Sequence, residues 1–354
     1  MEQQIIYTNF VEQTVDALID KFAPDITFIL VDHNTNERVL PRLLSICHNL
    51  KQSKIIRVAH GDENKNIQSL TYIWKEMSER GATRHSLLIN LGGGMITDMG
   101  AFAAATFKRG LKFINIPTTL LAAVDAAIGG KTGINFNGLK NEIGAFKNAD
   151  AVIISTTFLG TLPTEEIKSG YAEMLKHAII SDAAMTKKLT GIDISEIGPD
   201  SLLEFIEESN EVKKDIVSQD PHEQNIRKAL NFGHTVGHAF ESLAMKRYSP
   251  IPHGYAVAYG MVVELILSAI KLHFPKSTLI EISRYILANY SSFNFSKDEI
   301  HELIEYMRHD KKNISHNKIV MTLLKNIGEV EINVHVTDNE IKAALEIYSE
   351  KILY

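Results

Sequence analysis

The sequence predicts an α/β, Rossmann-like N-terminal domain over residues 1–160 and a mainly α-helical C-terminal domain over residues 161–354. Three observations carry that expectation. The chain has 354 residues, more than one ordinary core accommodates at ~100–200 residues per domain. Short β-branched runs alternate with amphipathic stretches through the first half, the pattern of βαβ units on a parallel sheet. After Leu162 and Pro163 the texture changes and helical periodicity takes over.

In order, residues 26–31 read as a strand, 39–50 as a helix, 54–59 as a strand, 65–80 as a helix and 86–91 as a strand. Three glycines, Gly92, Gly93 and Gly94, follow directly, and 95–107 reads as a helix of small residues. Residues 112–116 and 151–154 are further strands. Thr164 opens a long helix, 164–180, with Glu165 and Glu166 in its first turn, where carboxylates complement the helix dipole. Helices follow over 201–217, 224–245, 254–272 and 297–308, with strands at 318–324 and 329–334. The boundary falls near residue 160, with a cleft expected between an α/β half and a helical half.

Hydrophobic residues make up 45% and charged residues 23%, as in soluble globular proteins. A net charge of -6 argues against nucleic acid or an anionic membrane as partner, so an anionic substrate needs its cations gathered in one site. The single Cys47 precludes an intramolecular disulfide and fits a reducing cytoplasm, where it reads as a core residue. The N-terminus carries acids and no uninterrupted apolar segment, unlike a signal peptide. The apolar stretch 257–270 contains Glu264 and is short for a bilayer. A cytoplasmic protein with no membrane partner is expected.

Two glycine loops point to phosphate chemistry. Gly92, Gly93 and Gly94 sit at a strand-to-helix turn, where the backbone can approach a pyrophosphate and the helix offers free N–H groups. A tight turn is the plainer explanation of three glycines taken alone, and the spacing is not G-x-G-x-x-G. Asp32 and Asn34 follow the first strand, and Asp62 and Lys65 the second; carboxyl ends of parallel strands are where open α/β sheets bind ligands. The second loop carries Asp125, two glycines and Lys131, then Lys140 and Asn141. It lacks the spacing of a nucleoside-triphosphate loop, but glycine-supported lysines suit a phosphate or hydroxyl ligand.

Arg227, Asn231, His234 and His238 are spaced 4, 3 and 4 apart, which places them on one face of the expected helix 224–245. Two His at i and i+4 can share a metal, although the Glu of H-E-x-x-H is missing. His253 opens the next helix, and Glu173 and Lys176 lie one turn apart on 164–180. A Glu and two His with an open position form a catalytic zinc set; the spacing leaves open which two of the three His take part. The other eleven of the 14 histidines, among them His33, His177 and His301, read as packed or solvent-facing.

These residues carry a resemblance. LGGGMITDMGAF (91–102), Arg109-Gly110, PTTLLAAVDAAIGGKTG (117–133), LKNEIGAF (139–146), GYAEMLK (170–176), LNFGHTVGHA (230–239) and DKKN (310–313) occur in order through most of the chain, and the set resembles the 3-dehydroquinate synthases. The resemblance implies a dehydroquinate synthase-like fold with NAD and Zn²⁺, or Co²⁺, as cofactors. It implies Glu173, His234 and His253 as metal ligands, leaving His238 on the substrate side. Around NAD it implies Asp32, Asn34, Asp62, Lys65, Gly92, Gly93, Gly94, Asp98, Thr118, Thr119 and Lys140. Around a small sugar-acid phosphate it implies Asp125, Lys131, Asn141, Lys176, Lys213, Arg227, Asn231, His238 and Lys311 (Lys312 being the neighbouring alternative). Arg109 matches an arginine that reaches the neighbouring subunit's site, so a homodimer is implied.

The chemistry implied is a phosphate-eliminating carbon–oxygen lyase. NAD⁺ oxidises the C5 hydroxyl beside the metal, phosphate leaves by β-elimination, NADH returns the hydride, the ring opens and an intramolecular aldol closes the carbocycle. The leaving phosphate serves as base, with Lys131, Asn141 and His238 holding it. Departures from the family pattern are Asp62 for Glu, Thr97 for Gly, Ala126 and Ala127 for small hydroxyl residues, and Tyr255 for Glu. Competing readings are another sugar-phosphate cyclase, which Asn231 and His238 disfavour, and a metal-dependent polyol dehydrogenase, which needs no cluster of Lys131, Lys176, Lys213 and Arg227. A non-catalytic paralogue is disfavoured because all three ligand positions are intact.

Overall fold

The structure, a computed structural model, describes residues 3–137, 139–309 and 318–350. Lys311 and Lys312 lie outside the described residues. The chain forms two compact units. The first is the chain up to Pro163 together with Gly198–Asn210; the second is Thr164–Ile197 together with the chain from Glu211 onward.

The first unit is built on β1 (Gln4–Tyr7), α1 (Val11–Phe22), β2 (Thr27–Asp32), α2 (His33–Arg38), α3 (Leu40–Ile46), β3 (Lys54–Val58), α4 (Ile67–Glu79), β4 (Leu87–Gly92), α5 (Gly94–Thr106) and β5 (Lys112–Pro117), then β6 (Lys131–Phe136), β7 (Leu139–Phe146) and β8 (Ala151–Ile154). Six strands pair in the order β1-β8-β5-β4-β2-β3, every pairing parallel. Parallel strands covered on both faces must be apolar on both, and β4 is buried at every position. Leu87, Leu88, Ile89 and Leu91 are fully buried there, each worth roughly 1.5–3 kcal/mol of transfer free energy. The chain runs from β2 outward to β3 and returns to the other side of β2 with β4. The order therefore reverses between β2 and β4, and the crevice at the carboxyl ends of such a pair is the general ligand site of open α/β sheets.

In the predicted second glycine loop Gly129 and Gly130 adopt positive φ, 93 and 69, ahead of β6, but from Lys131 on the chain is a hairpin rather than a loop. Lys131 opens β6 and Asn141 lies within β7, and the two strands pair antiparallel from Lys131↔Phe146 to Phe136↔Leu139. Gly133 and Gly144 face each other there so closely that a Cβ at 144 would lie 2.1 Å from the Thr132 carbonyl oxygen. Gly133 and Gly144 are set by strand-to-strand contact, which a single sequence does not distinguish from a loop.

The second unit contains α6 (Thr164–Ser181), α7 (Ala183–Thr190), the later part of α8 (Pro199–Gln219), α9 (His234–Lys246), α10 (His253–Leu272), α11 (Lys276–Tyr290), α12 (Glu299–Arg308), the antiparallel pair β9 (Ile319–Asn326) and β10 (Glu329–Val336), and α13 (Asp338–Ser349). Helix α10 is its centre and contacts α6, α9, α11, α13 and β9. It extends beyond the apolar stretch read from sequence and is long and apolar enough to cross a membrane, but 72% of that window is buried inside the protein, as in a core helix.

The stretch predicted as one helix over 224–245 is two pieces. Ile226–Asn231 forms a 3-10 segment, Phe232 is extended at ψ 132, and Gly233 is left-handed at φ 80 before α9 begins at His234. A Cβ at 233 would lie 2.6 Å from Met261 Cγ and 3.0 Å from the Val257 carbonyl oxygen, so only glycine fits. Arg227 and Asn231 consequently do not share a helix with His234 and His238, although the i, i+4 relation of the two His survives.

Candidate functional site

Three helices of the second unit bring the predicted ligands together. Glu173 lies in the unbroken buried run of α6, while His234 and His253 are the first residues of α9 and α10. One ligand atom from each of the three lies within 4.8 Å of the other two. Glu173 is fully buried, and its Oε1 is 3.4 Å from His234 Nε2 and 3.6 Å from His253 Nε2. Neither Glu173 oxygen accepts a hydrogen bond among the described residues, although Lys176 forms an ion pair with it one turn on.

The far nitrogens of both imidazoles are engaged. His234 Nδ1 is 3.1 Å from the Phe232 carbonyl oxygen, and His253 Nδ1 is 3.3 Å from Glu241 Oε2. Those oxygens accept, so each Nδ1 serves as the donor there and Nε2 is the ring atom that faces Glu173. Two imidazole Nε2 atoms and a buried carboxylate oxygen thus converge, a donor set that suits a divalent cation. Glu241, 7% exposed and three residues beyond His238, was not anticipated from sequence; its position on the His238 side of α9 was the available signal. His238 stands beside the trio, its ring centroid 5.5 Å from that of His234 and 6.0 Å from that of His253. With Glu241 and His253 it makes a second group of possible ligands.

Among the described residues the predicted cations of this unit are buried: Lys176 is 1%, Arg227 2% and Lys213 5% exposed. Arg227 is fixed by a turn that Asp220 organises, accepting N–H bonds from Gln224 at 3.0 Å, Asn225 at 2.6 Å and Arg227 at 3.1 Å. Desolvation pushes the Asp220 carboxyl up, but these N–H bonds and the Arg227 charge outweigh it and hold it below its ordinary value. Arg227 Nη1 donates to the Pro221 carbonyl at 2.6 Å, and Asn231 Nδ2 donates to Glu223 Oε1 at 2.8 Å.

In the first unit the predicted cofactor residues gather at the carboxyl end of the sheet. Asp32 caps α2, accepting from Thr35 N at 2.8 Å and Thr35 Oγ1 at 3.1 Å, and Asn34 is exposed in that helix's first turn. Gly92 ends β4, and Gly93 is the N-cap of α5 with no side-chain cap, leaving its amides for an anion. Thr118 N donates to the Gly92 carbonyl at 3.0 Å, and Thr119 Oγ1 accepts from Ala122 N at 3.2 Å. Lys65, 4% exposed, places Nζ 2.5 Å from Asp98 Oδ2 and 2.5 Å from Asn141 Oδ1, joining two predicted cofactor residues to a predicted substrate residue.

Asn135, also unanticipated, ties this network together. Its N–H donates to the Lys65 carbonyl at 2.8 Å, its Nδ2 to Asp62 O at 2.9 Å and Oδ2 at 3.1 Å, and its Oδ1 accepts from Asn141 N at 2.9 Å. Lys140 Nζ is 3.8 Å from Asp62 Oδ2. Asp125 is half-buried in the π-helical turn Ala122–Ala126, and Lys131 is exposed. Arg109 is exposed and left-handed at φ 70, following Lys108 at φ 49, and both line a recess with Thr83 and Arg84.

Residues 55–169 match the family described as 3-dehydroquinate synthase N-terminal, and residues 170–313 match 3-dehydroquinate synthase C-terminal. The chain is 47% identical over 349 residues to a 3-dehydroquinate synthase of Parabacteroides distasonis, covering 99% of this chain and 98% of that one. It is 37% identical to one of Oceanobacillus iheyensis, over 92% of this chain and 89% of the relative. In fold it is similar to a 2-deoxy-scyllo-inosose synthase solved with carbaglucose-6-phosphate, NAD⁺ and Co²⁺, at TM-score 0.85 and 22% identity over 98% and 96% of the two chains. It is likewise similar to the 2-epi-5-epi-valiolone synthase of Streptomyces hygroscopicus with NAD⁺ and Zn²⁺ bound, at TM-score 0.84 and 23% identity over 99% and 97%.

Proposed function

The chain belongs to the 3-dehydroquinate synthase family, and from that premise we propose that it converts 3-deoxy-D-arabino-heptulosonate 7-phosphate to 3-dehydroquinate and phosphate, as a carbon–oxygen lyase of aromatic amino-acid biosynthesis. The observation that carries the reading is the buried Glu173, with the Nε2 atoms of two imidazoles 3.4 and 3.6 Å from its Oε1. Glu173, His234 and His253 would hold Zn²⁺ or Co²⁺, and the first unit would hold NAD through Asp32, Asn34, Asp62, Lys65, Asp98, Thr118, Thr119, Lys140 and the amides after Gly92. When bound, these groups supply a Lewis acid and a reversible hydride acceptor at the substrate's C5 hydroxyl, so that oxidation, elimination, re-reduction, ring opening and aldol closure involve no net redox.

The protein's own residues bind and orient. A substrate with a carboxylate and a phosphate needs several cations although the chain's net charge is -6, and Lys131, Lys176, Lys213 and Arg227 answer that need, with Asp125, Asn141, Asn231 and His238 directing hydroxyl and phosphate oxygens. Lys176 already neighbours Glu173 and would offer a donor to a substrate oxygen bound there. Fixing the phosphate near the proton to be removed would let the substrate act as its own base, so that holding matters more than acid–base strength. The same reading takes residues 1–160 as the NAD-binding domain and 161–354 as the metal- and substrate-binding domain. It assigns Lys311 to the substrate and Arg109 to a homodimer partner's site, in a cytoplasmic enzyme whose partners are small molecules rather than nucleic acid or membrane. The test is phosphate release from the heptulosonate phosphate with catalytic NAD and Zn²⁺ or Co²⁺. Phosphate without accumulated NADH is expected; stoichiometric NADH, or no phosphate, overturns the proposal.

A further inference from the structure

We infer that Glu264 is a positioning residue for the metal centre: from the body of α10 its carboxylate grips the amino end of α9 and thereby sets His234 against His253. The inference rests on the metal-site reading above. Glu264 is fully buried in a helix whose buried residues are otherwise almost all apolar. Its Oε2 accepts the Gly233 N–H at 2.6 Å and its Oε1 the Val236 N–H at 3.1 Å. First-turn amides have no partner inside their own helix. A side-chain oxygen at the N-cap ordinarily answers them, but the N-cap here is Gly233, whose left-handed backbone and contact with Met261 leave no room for a Cβ.

The cap is therefore supplied from another helix, and the two gripped amides flank His234 in the sequence. The helix that supplies it is the one that opens with His253, about three turns before Glu264. The clamp works across direct backbone contact, since a Cβ at Gly260 would lie 2.0 Å from the Gly233 carbonyl oxygen and one at Gly237 3.0 Å from that of Ala256. Each side of the clamp needs the other. A buried carboxylate without donors is costly, as are buried amides without an acceptor. One carboxylate thus fixes both the start of α9 and its distance from α10, and these two quantities determine the separation of the His234 and His253 nitrogens that face Glu173.

The experiment measures Zn²⁺ affinity of the full chain by chelator competition, and the visible absorption of the Co²⁺ form, well below each variant's melting temperature. Glu264→Gln keeps the length but turns an NH₂ group toward one backbone N–H. Affinity is expected to fall ~10–100-fold, the usual consequence of disturbing the support of metal ligands, and the Co²⁺ bands to shift. Glu264→Asp, which keeps the charge with a shorter reach, should fall between the two. Wild-type affinity and an unchanged Co²⁺ spectrum in Glu264→Gln overturn the inference, even with a lowered melting temperature. Failure of both variants to fold overturns it too, since Glu264 would then be a stability element at large. Wild type and His234→Ala separate the two levels: if wild type takes no Zn²⁺, or His234→Ala takes it equally well, the metal-site reading fails instead.

Discussion

Gly260→Ala tests whether the packing of α9 on α10 has the consequence argued for it. The added Cβ would lie 2.0 Å from the Gly233 carbonyl oxygen and 2.7 Å from Gly237 N. Both are backbone atoms, so no side-chain rotation relieves the clash, and α9 must retreat by about 1 Å or more to reach ordinary contact. Overpacking costs ~1–3 kcal/mol, and the absence of a soft neighbour places this site at the upper end. Alanine in a helix interior gains about 1 kcal/mol over glycine, which opposes the clash. The net expectation is a loss of about 2 kcal/mol, roughly 30-fold in the folding constant. Urea unfolding with a chelator present isolates that loss from metal binding, and Zn²⁺ affinity measured separately should fall as His234 moves from His253. A variant more stable by about 1 kcal/mol with unchanged Zn²⁺ affinity would show propensity alone at work and refute the close contact.

Other expectations follow from single contacts. Glu241→Leu removes the acceptor paired with His253 Nδ1, and Zn²⁺ affinity should drop ~10–100-fold; equal affinity in chelator competition counts against that support. Asn135→Ala loses the side-chain bonds to Asp62 and Asn141, so NAD affinity by calorimetry should weaken by roughly tenfold, about one hydrogen bond's worth; an unchanged value would separate Asn135 from the cofactor site. The Glu299 carboxyl is drawn down to about 2 by side-chain hydrogen bonds from Arg247 and a backbone bond from Ser296. Its folded value lies below its unfolded one, so its contribution is present above the unfolded value and fades as pH falls through about 2. Arg247→Met should raise the Glu299 titration seen by NMR and flatten that loss; a wild-type Glu299 titrating at its ordinary value would contradict the pairing.

The parallel sheet was legible because β-branched runs separated by amphipathic stretches allow little else, and the predicted strand 151–154 matches Ala151–Ile154. Two of the three ligand helices were legible for a similar reason: the first-turn carboxylates after Thr164 and the apolar run after His253 mark their starts. The break at Gly233 was hidden because Arg227, Asn231, His234 and His238 keep helical spacing across it, and what breaks the helix is the remote contact with Met261 and Val257. The hairpin from Lys131 to Phe146 was hidden for the converse reason, its glycines answering strand-to-strand contact rather than a turn. Supporting residues were the least visible. Glu241, Glu264, Asp220 and Asn135 act through hydrogen bonds to partners that only the fold brings near; Glu241 and Glu264 stood out locally, beside His238 and within an apolar run, but nothing in the sequence named the atoms they hold.

Glu173, His234 and His253 share His253 with the competing group His238, Glu241 and His253, so the location of the ion decides the account. Anomalous diffraction at the zinc edge from crystals of the Zn²⁺-loaded protein locates it directly. One peak is predicted, ~2.0–2.2 Å from a Glu173 oxygen and from Nε2 of both His234 and His253. A peak coordinated by His238 and Glu241 instead, or none near Glu173, contradicts it.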